Sequence, residues 1–301
     1  MKFSLWPQAA NPPGHILDEV RWADEAGWHS VWLADHYMPN TGTRELKPGN
    51  VHEVWSLLPA VATVTSQVRF GTLVSPTSIH HPALLANRAS TLDHLSNGRF
   101  TLGLGAGWQI NEHAAYGVEL EAPKERVDRF EEAIRIVRSL LDNDRTTFHG
   151  SVYDVTDAPC DPKPVQRPLP ILVGTSSPRM LRIAAAHANQ WNTSGSVEVA
   201  IKNRASLMAA ADTVGRDPSE FWTTANIQLD LGSTGYDAQG PSPILRGNRQ
   251  QLIDQLAPYI EAGFDELVIS TTHYGSDLQE RLDRYARIDE EIVTAFQTEQ
   301  P

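Results

Sequence analysis

The sequence contains a single cysteine, an excess of acidic over basic residues, and no long apolar run. The lone thiol, Cys160, cannot form an intrachain disulfide, which is typical of proteins that work in a reducing cytosol. The net charge of −12 disfavours nucleic acid or an anionic membrane as partner, because both attract basic surfaces. No apolar stretch approaches the roughly 18 residues of a membrane span, and the first residues lack the apolar core of a signal peptide. We expect a soluble cytoplasmic protein that acts on a small molecule.

Apolar strands alternate with amphipathic helices along the 301 residues. The eight strands are predicted at residues 3–5, 30–34, 68–74, 100–104, 171–174, 190–192, 223–231 and 266–270. Unbroken apolar strands separated by helices are typical of a parallel sheet, and eight of them can close on themselves. We therefore predict an α/β fold, a (β/α)8 TIM barrel that forms a single domain over residues 1–301.

Two insertions interrupt this alternation. After the fourth helix, predicted at 124–142, a small hairpin around His149 and Gly150 leads into a connector dense in proline. After the seventh strand, residues 232–246 are rich in Gly, Ser and Pro, so we predict an irregular segment that covers the substrate. The last helix is predicted at 278–296.

In a TIM barrel, functional residues lie in the loops that follow the strands. The loops after strands one to five supply Trp6, the pair Asp35 and His36, Ser75 and Thr77, the run Gly105 to Glu112, and the run Gly174 to Ser177. We expect all five loops at one rim.

The stretch from Gly98 to Gly117 is the centre of this arrangement. Its apolar strand ends in Gly103, Gly105 and Gly107, and we predict that an open loop with Trp108 and Glu112 follows. Glycine lacks a Cβ, so the backbone here can lie against a planar or anionic ligand, or can simply pack tightly. The G-x-G-x-G spacing has no later Asp at the dinucleotide position and is not a Rossmann fingerprint.

Two other candidates each allow a structural alternative. Asp35 and His36 are adjacent titratable groups suited to acid–base chemistry, or they form a structural cap. The run from Gly174 to Arg179 combines hydroxyls with a helix N-terminus, which favours phosphate. The alternative is an ordinary helix cap by Ser176 or Ser177.

Two classes of barrel enzyme lack the residues they need. A metal-dependent hydrolase is suggested by Asp35 and the histidines at 36, 80, 81 and 113, but no His-x-His follows the first strand and no carboxylate ends the last. A glycosidase needs two facing carboxylates, and only Asp35 is firmly placed at a strand end, with Glu112 in a loop.

Four segments in order resemble the bacterial luciferase-like family, which comprises flavin and deazaflavin barrels. They are VWLADHY (31–37), GTLVSPTSIHHPALLA (71–86), TLDHLSNGRFTLGLGAGWQINEHAAYG (91–117) and PILVGTSSPRMLRIAAAHANQWN (170–192). The GAGWQINEHAAYG form is most similar to the branch that uses coenzyme F-420 (F420), an 8-hydroxy-5-deazaflavin. In sugar-phosphate dehydrogenases of the family a glutamate follows the glycines, whereas this chain has Trp108, a departure that argues against glucose 6-phosphate.

The resemblance implies a role for each candidate residue. His36, with Asp35 behind it, would donate a proton or orient the substrate near the reactive ring, and Glu112 would be a further acid. A bend at Leu73, Val74 and Ser75, often with a non-proline cis peptide in this family, would support the ring. The remaining cofactor contacts would be Trp6, Thr77, Gly105, Ala106, Gly107 and Trp108 along the ring, and Gly174, Thr175, Ser176 and Ser177 at the phosphate.

The implied function is hydride transfer between F420 and a small organic substrate. An FMN-dependent two-component monooxygenase is the alternative, and a barrel that binds flavin without turnover is a third possibility. The resemblance also implies a homodimer and a separate reductase that supplies reduced cofactor.

Overall fold

The computed structural model describes residues 1–233, 236–237 and 242–297. Its strands are β1 Lys2–Trp6, β2 Ser30–Leu33, β3 Arg69–Thr72, β4 Ser75–Pro76, β5 Phe100–Gly105, β6 Thr146–His149, β7 Asp154–Ala158, β8 Ile171–Gly174, β9 Gln190–Thr193, β10 Trp222–Leu231, β11 Tyr236–Asp237, β12 Ile244–Gly247 and β13 Glu266–Ser270. Its helices are α1 Pro13–Glu25, α2 Val54–Val64, α3 Pro82–Leu95, α4 Ile110–Tyr116, α5 Pro123–Asp142, α6 Pro178–His187, α7 Val197–Thr213, α8 Arg249–Glu261, α9 Leu278–Ile288 and α10 Thr294–Gln297. A 3-10 turn at Pro218–Glu220 and a π-helical turn at Asp289–Val293 complete the described elements.

Eight parallel strands close into a barrel. Going round the barrel, the order is β1, β2, β3, β5, β8, β9, β10 and β13, and β13 pairs with β1 again. In the closing pair, Lys2 lies beside Glu266 and Trp6 beside Ser270. The predicted (β/α)8 TIM barrel is therefore confirmed.

The barrel strands are buried on both sides, with an apolar outer face and an inner face that mixes apolar and polar side chains. Outside the barrel, helices cover the sheet with one apolar face each; in α5 this face includes Phe130, Ile134 and Val137. Inside the barrel, Trp32 packs with Leu172 and Val268. A filled interior leaves the open space for a ligand at the ends of the barrel.

The structure differs from the sequence predictions at three places. Residues 110–116, predicted as part of an open loop, form α4, which ends at Gly117 in the left-handed conformation (φ 69°). Residues 244–247 form β12, which pairs in parallel with β10, while residues 234–235 and 238–241 of the predicted irregular segment lie outside the described residues. The last predicted helix is divided by the π-helical turn. The predicted hairpin is confirmed as β6 and β7.

None of the helices within the described ranges has the length and apolar character needed to cross a membrane.

Candidate active site at the carboxyl ends of the strands

A cavity of about 410 Å³ opens at the carboxyl end of the barrel. We call this space the mouth cavity, and loops from opposite sides of the barrel form its wall. Of the residues predicted for the site, Trp6, His36 and Trp108 line it, and Gln228 on β10 and Thr272 after β13 join them. These strand ends thus converge on one space.

Glu112 fixes the orientation of His36. His36 Nδ1 lies 3.1 Å from Glu112 Oε1 and 3.3 Å from Oε2, and Glu112 Oε2 also accepts the backbone N–H of Tyr37 at 3.2 Å. Because a carboxylate only accepts hydrogen bonds, Nδ1 carries the proton in this pair. Nε2 is then the ring atom that can exchange a proton with a ligand. The Trp108 ring stands edge-on to the imidazole, with the ring centres 5.5 Å apart.

Asp35 makes its hydrogen bonds with residues other than His36, so the expected pairing of these two side chains is not observed. Its Oδ2 accepts hydrogen bonds from Trp55 Nε1 at 2.9 Å, Ser75 Oγ at 2.5 Å and His80 Nε2 at 2.9 Å. Its Oδ1 is buried and has no hydrogen-bond partner among the residues described. Asp35 therefore supports the segment around Ser75, and Glu112 occupies the place behind the imidazole.

The residues Leu73 to Ser75 form the predicted bend, and the Leu73–Val74 peptide bond is cis. The Val74 side chain lies against glycines of the two following barrel strands. A Cβ on Gly105 would lie 2.7 Å from Val74 Cγ2, and one on Gly174 would lie 3.3 Å from Val74 Cγ1. A Cβ on Gly103 would collide with the carbonyl oxygen of Thr72. These glycines therefore accommodate the protein's own backbone and Val74.

The glycine-rich loop after β5 is held by hydrogen bonds on several sides. Thr77 binds the carbonyl of Gly105 through its backbone N–H at 2.8 Å, and Ala106 packs against the core. Gly107 has φ 91°, a conformation that L side chains rarely adopt, and a Cβ there would collide with Ser78 Oγ. Arg126 Nη1 donates to the Gly107 carbonyl at 2.8 Å.

Sequence reasoning missed several residues that hold this loop. Ser78 Oγ donates to His113 Nε2 at 2.8 Å, and His113 Nδ1 donates to the Gln109 carbonyl at 2.7 Å. Arg126 Nε is buried without a hydrogen-bond partner in the described structure. The sequence indicated Ser78 only as the residue after Thr77 in the loop that follows the third strand, and His113 only as one of the histidines of a possible metal site. Nothing in the sequence indicated Arg126, which is far from both residues in the chain.

The run Gly174 to Ser177 lies at the end of β8 and the start of α6, and it does not line the mouth cavity. Thr175 accepts a hydrogen bond from Trp191 Nε1 at 2.9 Å. Ser176 and Ser177 are exposed, and Ser177, at the N-cap position, makes no side-chain cap. The alternative of an ordinary serine cap is thus not observed at Ser177. The Arg179 guanidinium forms ion pairs with Asp128 and Glu131 of α5 and is not free for a phosphate at this run.

Gln228 is a polar wall residue that no motif indicated. Gln228 Oε1 lies 2.7 Å from His273 Nδ1, and Gln228 Nε2 donates to the Ser242 carbonyl at 3.3 Å. Burial lowers the pKa of His273, although the Leu229 carbonyl and Asp230 act in the opposite direction. Across the described residues, no group of three His, Cys, Asp or Glu side chains is arranged to hold a metal ion.

A closed barrel with a cavity and a histidine–carboxylate pair at its carboxyl end has the architecture of a TIM-barrel enzyme. The family model described as luciferase-like monooxygenase matches residues 1–297, and the chain belongs to that family. The predicted family membership is thus confirmed.

The chain is similar to F420-dependent glucose-6-phosphate dehydrogenases. Identity to that of Kineococcus radiotolerans is 38% over 300 residues, covering 85% of this chain and 86% of the relative. Identity to that of Amycolatopsis mediterranei is 35% over 175 residues, covering 57% of this chain and only half of the relative. The structure of the coenzyme F420 dependent tetrahydromethanopterin reductase from Methanopyrus kandleri superposes with a TM-score of 0.81 at 16% identity, covering 98% and 99% of the two chains, which shows the shared fold.

Proposed function

We propose that this protein is an oxidoreductase that transfers a hydride between coenzyme F420 and a small organic substrate. The observation that carries the proposal is the His36–Glu112 pair at the wall of the mouth cavity, with the proton on Nδ1 engaged by the carboxylate. The names of the similar dehydrogenases support F420 as the cofactor.

The residues present fit such a cofactor. Trp108 is 56% exposed at the mouth, which gives a flat ring an apolar surface, and Val74 offers a second apolar contact from the bend. The exposed hydroxyls of Ser176 and Ser177 are suited to a phosphate, and the unpartnered Nε of Arg126 adds a donor near Gly107. We assign cofactor binding to these residues together with Trp6, Thr77, Leu73 to Ser75, Gly105 to Gly107, Gly174 and Thr175.

The deazaflavin supplies the hydride chemistry at its C5 atom. His36 gives or takes the accompanying proton at Nε2, which must lie within about 3 Å of the substrate oxygen. Glu112 holds the ring in one orientation and offsets the positive charge that the ring gains with a second proton. Asp35 acts as a positioning residue for Ser75.

Spectral titration of the purified protein with F420 and with FMN tests the choice of cofactor. We expect saturable F420 binding and turnover that is lost in His36→Ala, while the variant keeps its affinity for F420. Tight FMN binding without affinity for F420, and oxygen consumption with reduced FMN, would instead support the FMN-dependent monooxygenase that the family description favours. A barrel that only binds flavin would show no activity for His36→Ala to abolish.

Four further points belong to this proposal. We infer a single domain over residues 1–301, a cytoplasmic location, a homodimer, and a separate reductase that supplies reduced cofactor. The single domain is supported by the family match over residues 1–297, and the homodimer by the exposed apolar side chains of Leu84 and Leu95 on α3. Light scattering on the eluted protein measures the oligomeric state.

A further inference from the structure

Among the described residues that line the mouth cavity, His36 is the only one with an ionisable acid or base. In the described part of the chain, seventeen residues line it, and none of them is Lys, Arg, Asp or Glu. Trp6, Met38 and Trp108 make part of the wall apolar, while Gln228, Ser270 and Thr272 contribute neutral polar groups. A ligand with a phosphate would therefore meet no cation on this wall.

The described basic side chains of the neighbouring loops do not line the mouth cavity. Arg246 pairs with Asp230 at 3.4 Å, and Arg126, whose Nη1 donates to the Gly107 carbonyl, is one of the groups assigned to the cofactor. Residues 234–241 read TGYDAQGP and contain no Lys or Arg, so this segment adds no basic side chain. Arg44 and Lys47 lie in the exposed loop after β2 and are not among the lining residues.

Two carboxylates lie behind the wall and add negative charge. Asp35 and Glu112 are each only 1% exposed, and Glu112 sits in the first turn of α4. The Glu112 carboxylate therefore occupies the positive N-terminal end of α4, a helix of seven residues, so this helix end offers no further positive charge to a phosphate. A phosphate monoester carries close to two negative charges, and desolvating it beside these carboxylates without a cation is strongly unfavourable.

We infer, resting on the function proposed above, that the substrate is an uncharged alcohol or carbonyl compound and not a sugar phosphate. The apolar part of the wall, which includes Met38 and Val51 besides the tryptophans assigned to the cofactor ring, contacts its hydrocarbon portion. The amide of Gln228 and the hydroxyls of Ser270 and Thr272 serve a neutral hydroxyl or carbonyl group. The substrate class thus differs from the one in the names of the similar dehydrogenases.

Ligand binding to the cofactor-free protein tests this inference separately from the cofactor. Trp6 and Trp108 line the cavity, so their fluorescence reports on its occupation, and Trp108→Phe identifies that signal. We expect cyclohexanone to change the fluorescence with saturation, and glucose 6-phosphate to leave it unchanged up to 10-fold higher concentration. Saturable binding of glucose 6-phosphate that weakens with added salt would overturn the inference, even if the protein binds F420 as proposed.

Turnover and a gain-of-function variant complete the test. With F420 bound, we expect kcat/KM for cyclohexanol to exceed that for glucose 6-phosphate at least 100-fold. Gln228→Lys places a cation in the wall and should improve binding of glucose 6-phosphate at least 10-fold, whereas the uncharged control Gln228→Met should not. Efficient wild-type turnover of glucose 6-phosphate, lost in the double variant Arg44→Ala, Lys47→Ala, would show that the exposed loop supplies the cation and would refute the inference.

If F420 does not bind, the proposed function fails, yet the fluorescence titration still reports whether the cavity discriminates against a phosphate. If F420 binds and glucose 6-phosphate is the better substrate, the proposed function stands and the substrate inference fails. The two failures are therefore distinguishable.

Discussion

Substituting Glu112 by Gln should uncouple His36 from its support without changing the shape of the site. The carboxylate accepts from two donors, His36 Nδ1 at 3.1 Å and the Tyr37 N–H at 3.2 Å, whereas a glutamine has only one acceptor oxygen. Oε2 alone lies within reach of both donors, but an amide NH2 in place of Oε1 cannot accept, so His36 Nδ1 loses its 3.1 Å contact and keeps only the 3.3 Å contact. The lost contact costs about 1 kcal/mol, and the change from charged to neutral acceptor costs about 1 to 2 kcal/mol more. If these contacts act in the transition state, the sum of about 2 to 3 kcal/mol lowers kcat/KM about 30- to 150-fold.

Steady-state kinetics with F420 and cyclohexanol measure this effect. Glu112 lies behind the wall and does not line the cavity, so we expect most of the loss in kcat and little change in F420 affinity. Glu119→Gln is the matched control, because this exposed glutamate follows the same short helix and makes no contact with His36. A folded Glu112→Gln protein that retains more than a third of wild-type kcat/KM would refute the role of this pair.

Three further substitutions address stability. Asp35→Asn disturbs a buried oxygen that accepts from Trp55 and two other donors, so the free energy of unfolding in urea should fall by about 2 to 4 kcal/mol, and an unchanged urea midpoint would contradict the network. Gly103→Ala adds a methyl that collides with a carbonyl and should cost about 1 to 3 kcal/mol, whereas the control Gly14→Ala, in open space on α1, should cost nothing. Burial alone would raise the pKa of Asp24, but the N–H groups that bind its carboxylate lower it overall, so its stabilisation is present above about pH 4 and is lost as pH falls below that value. The stability difference between wild type and Asp24→Asn should accordingly shrink on acidification, and a difference that is independent of pH would contradict this account.

The barrel could be predicted from the sequence because most of its strands are short, largely apolar runs that alternate with helical patterns. A run such as residues 171–174 is buried by helices outside and by Trp32 and its neighbours inside, so nothing polar interrupts it. Helix boundaries followed from proline and glycine, as in α6, which begins at Pro178. These are local signals, and they were sufficient for the fold.

The contacts within the site depended on relations that no local signal carries. Asp35 and His36 are neighbours in the chain, yet their side chains bind partners in different loops, Asp35 with His80 and His36 with Glu112. Glu112 reaches His36 across 76 positions of sequence. The reading of residues 110–116 as an open loop failed because seven residues after three glycines give too short a pattern to identify a helix.

The glycine pattern predicted a surface on which a ligand could lie, and the structure shows a second reason for these glycines, which is packing within the protein. Gly103 and Gly105 are required by Thr72 and Val74 of the neighbouring strand and bend, whether or not a ligand is present. Only after that packing is satisfied does the following loop, from Gly107 to Trp108, reach the mouth. Two of the three glycines are therefore explained by protein packing, and only the loop after them is available to contact a ligand.

The placement of charge links the chemistry of His36 to the choice of substrate. A histidine that exchanges a proton at Nε2 benefits from a carboxylate at Nδ1, and here that carboxylate is buried immediately behind the wall of the cavity. The same negative charge disfavours a phosphate on the other side of the wall, and no lining cation in the described structure offsets it. A sugar phosphate would require a compensating lysine or arginine on the wall, whereas a neutral alcohol requires none. Thus the group that prepares His36 for proton transfer also favours an uncharged substrate, and Gln228→Lys is the substitution that should separate these two effects.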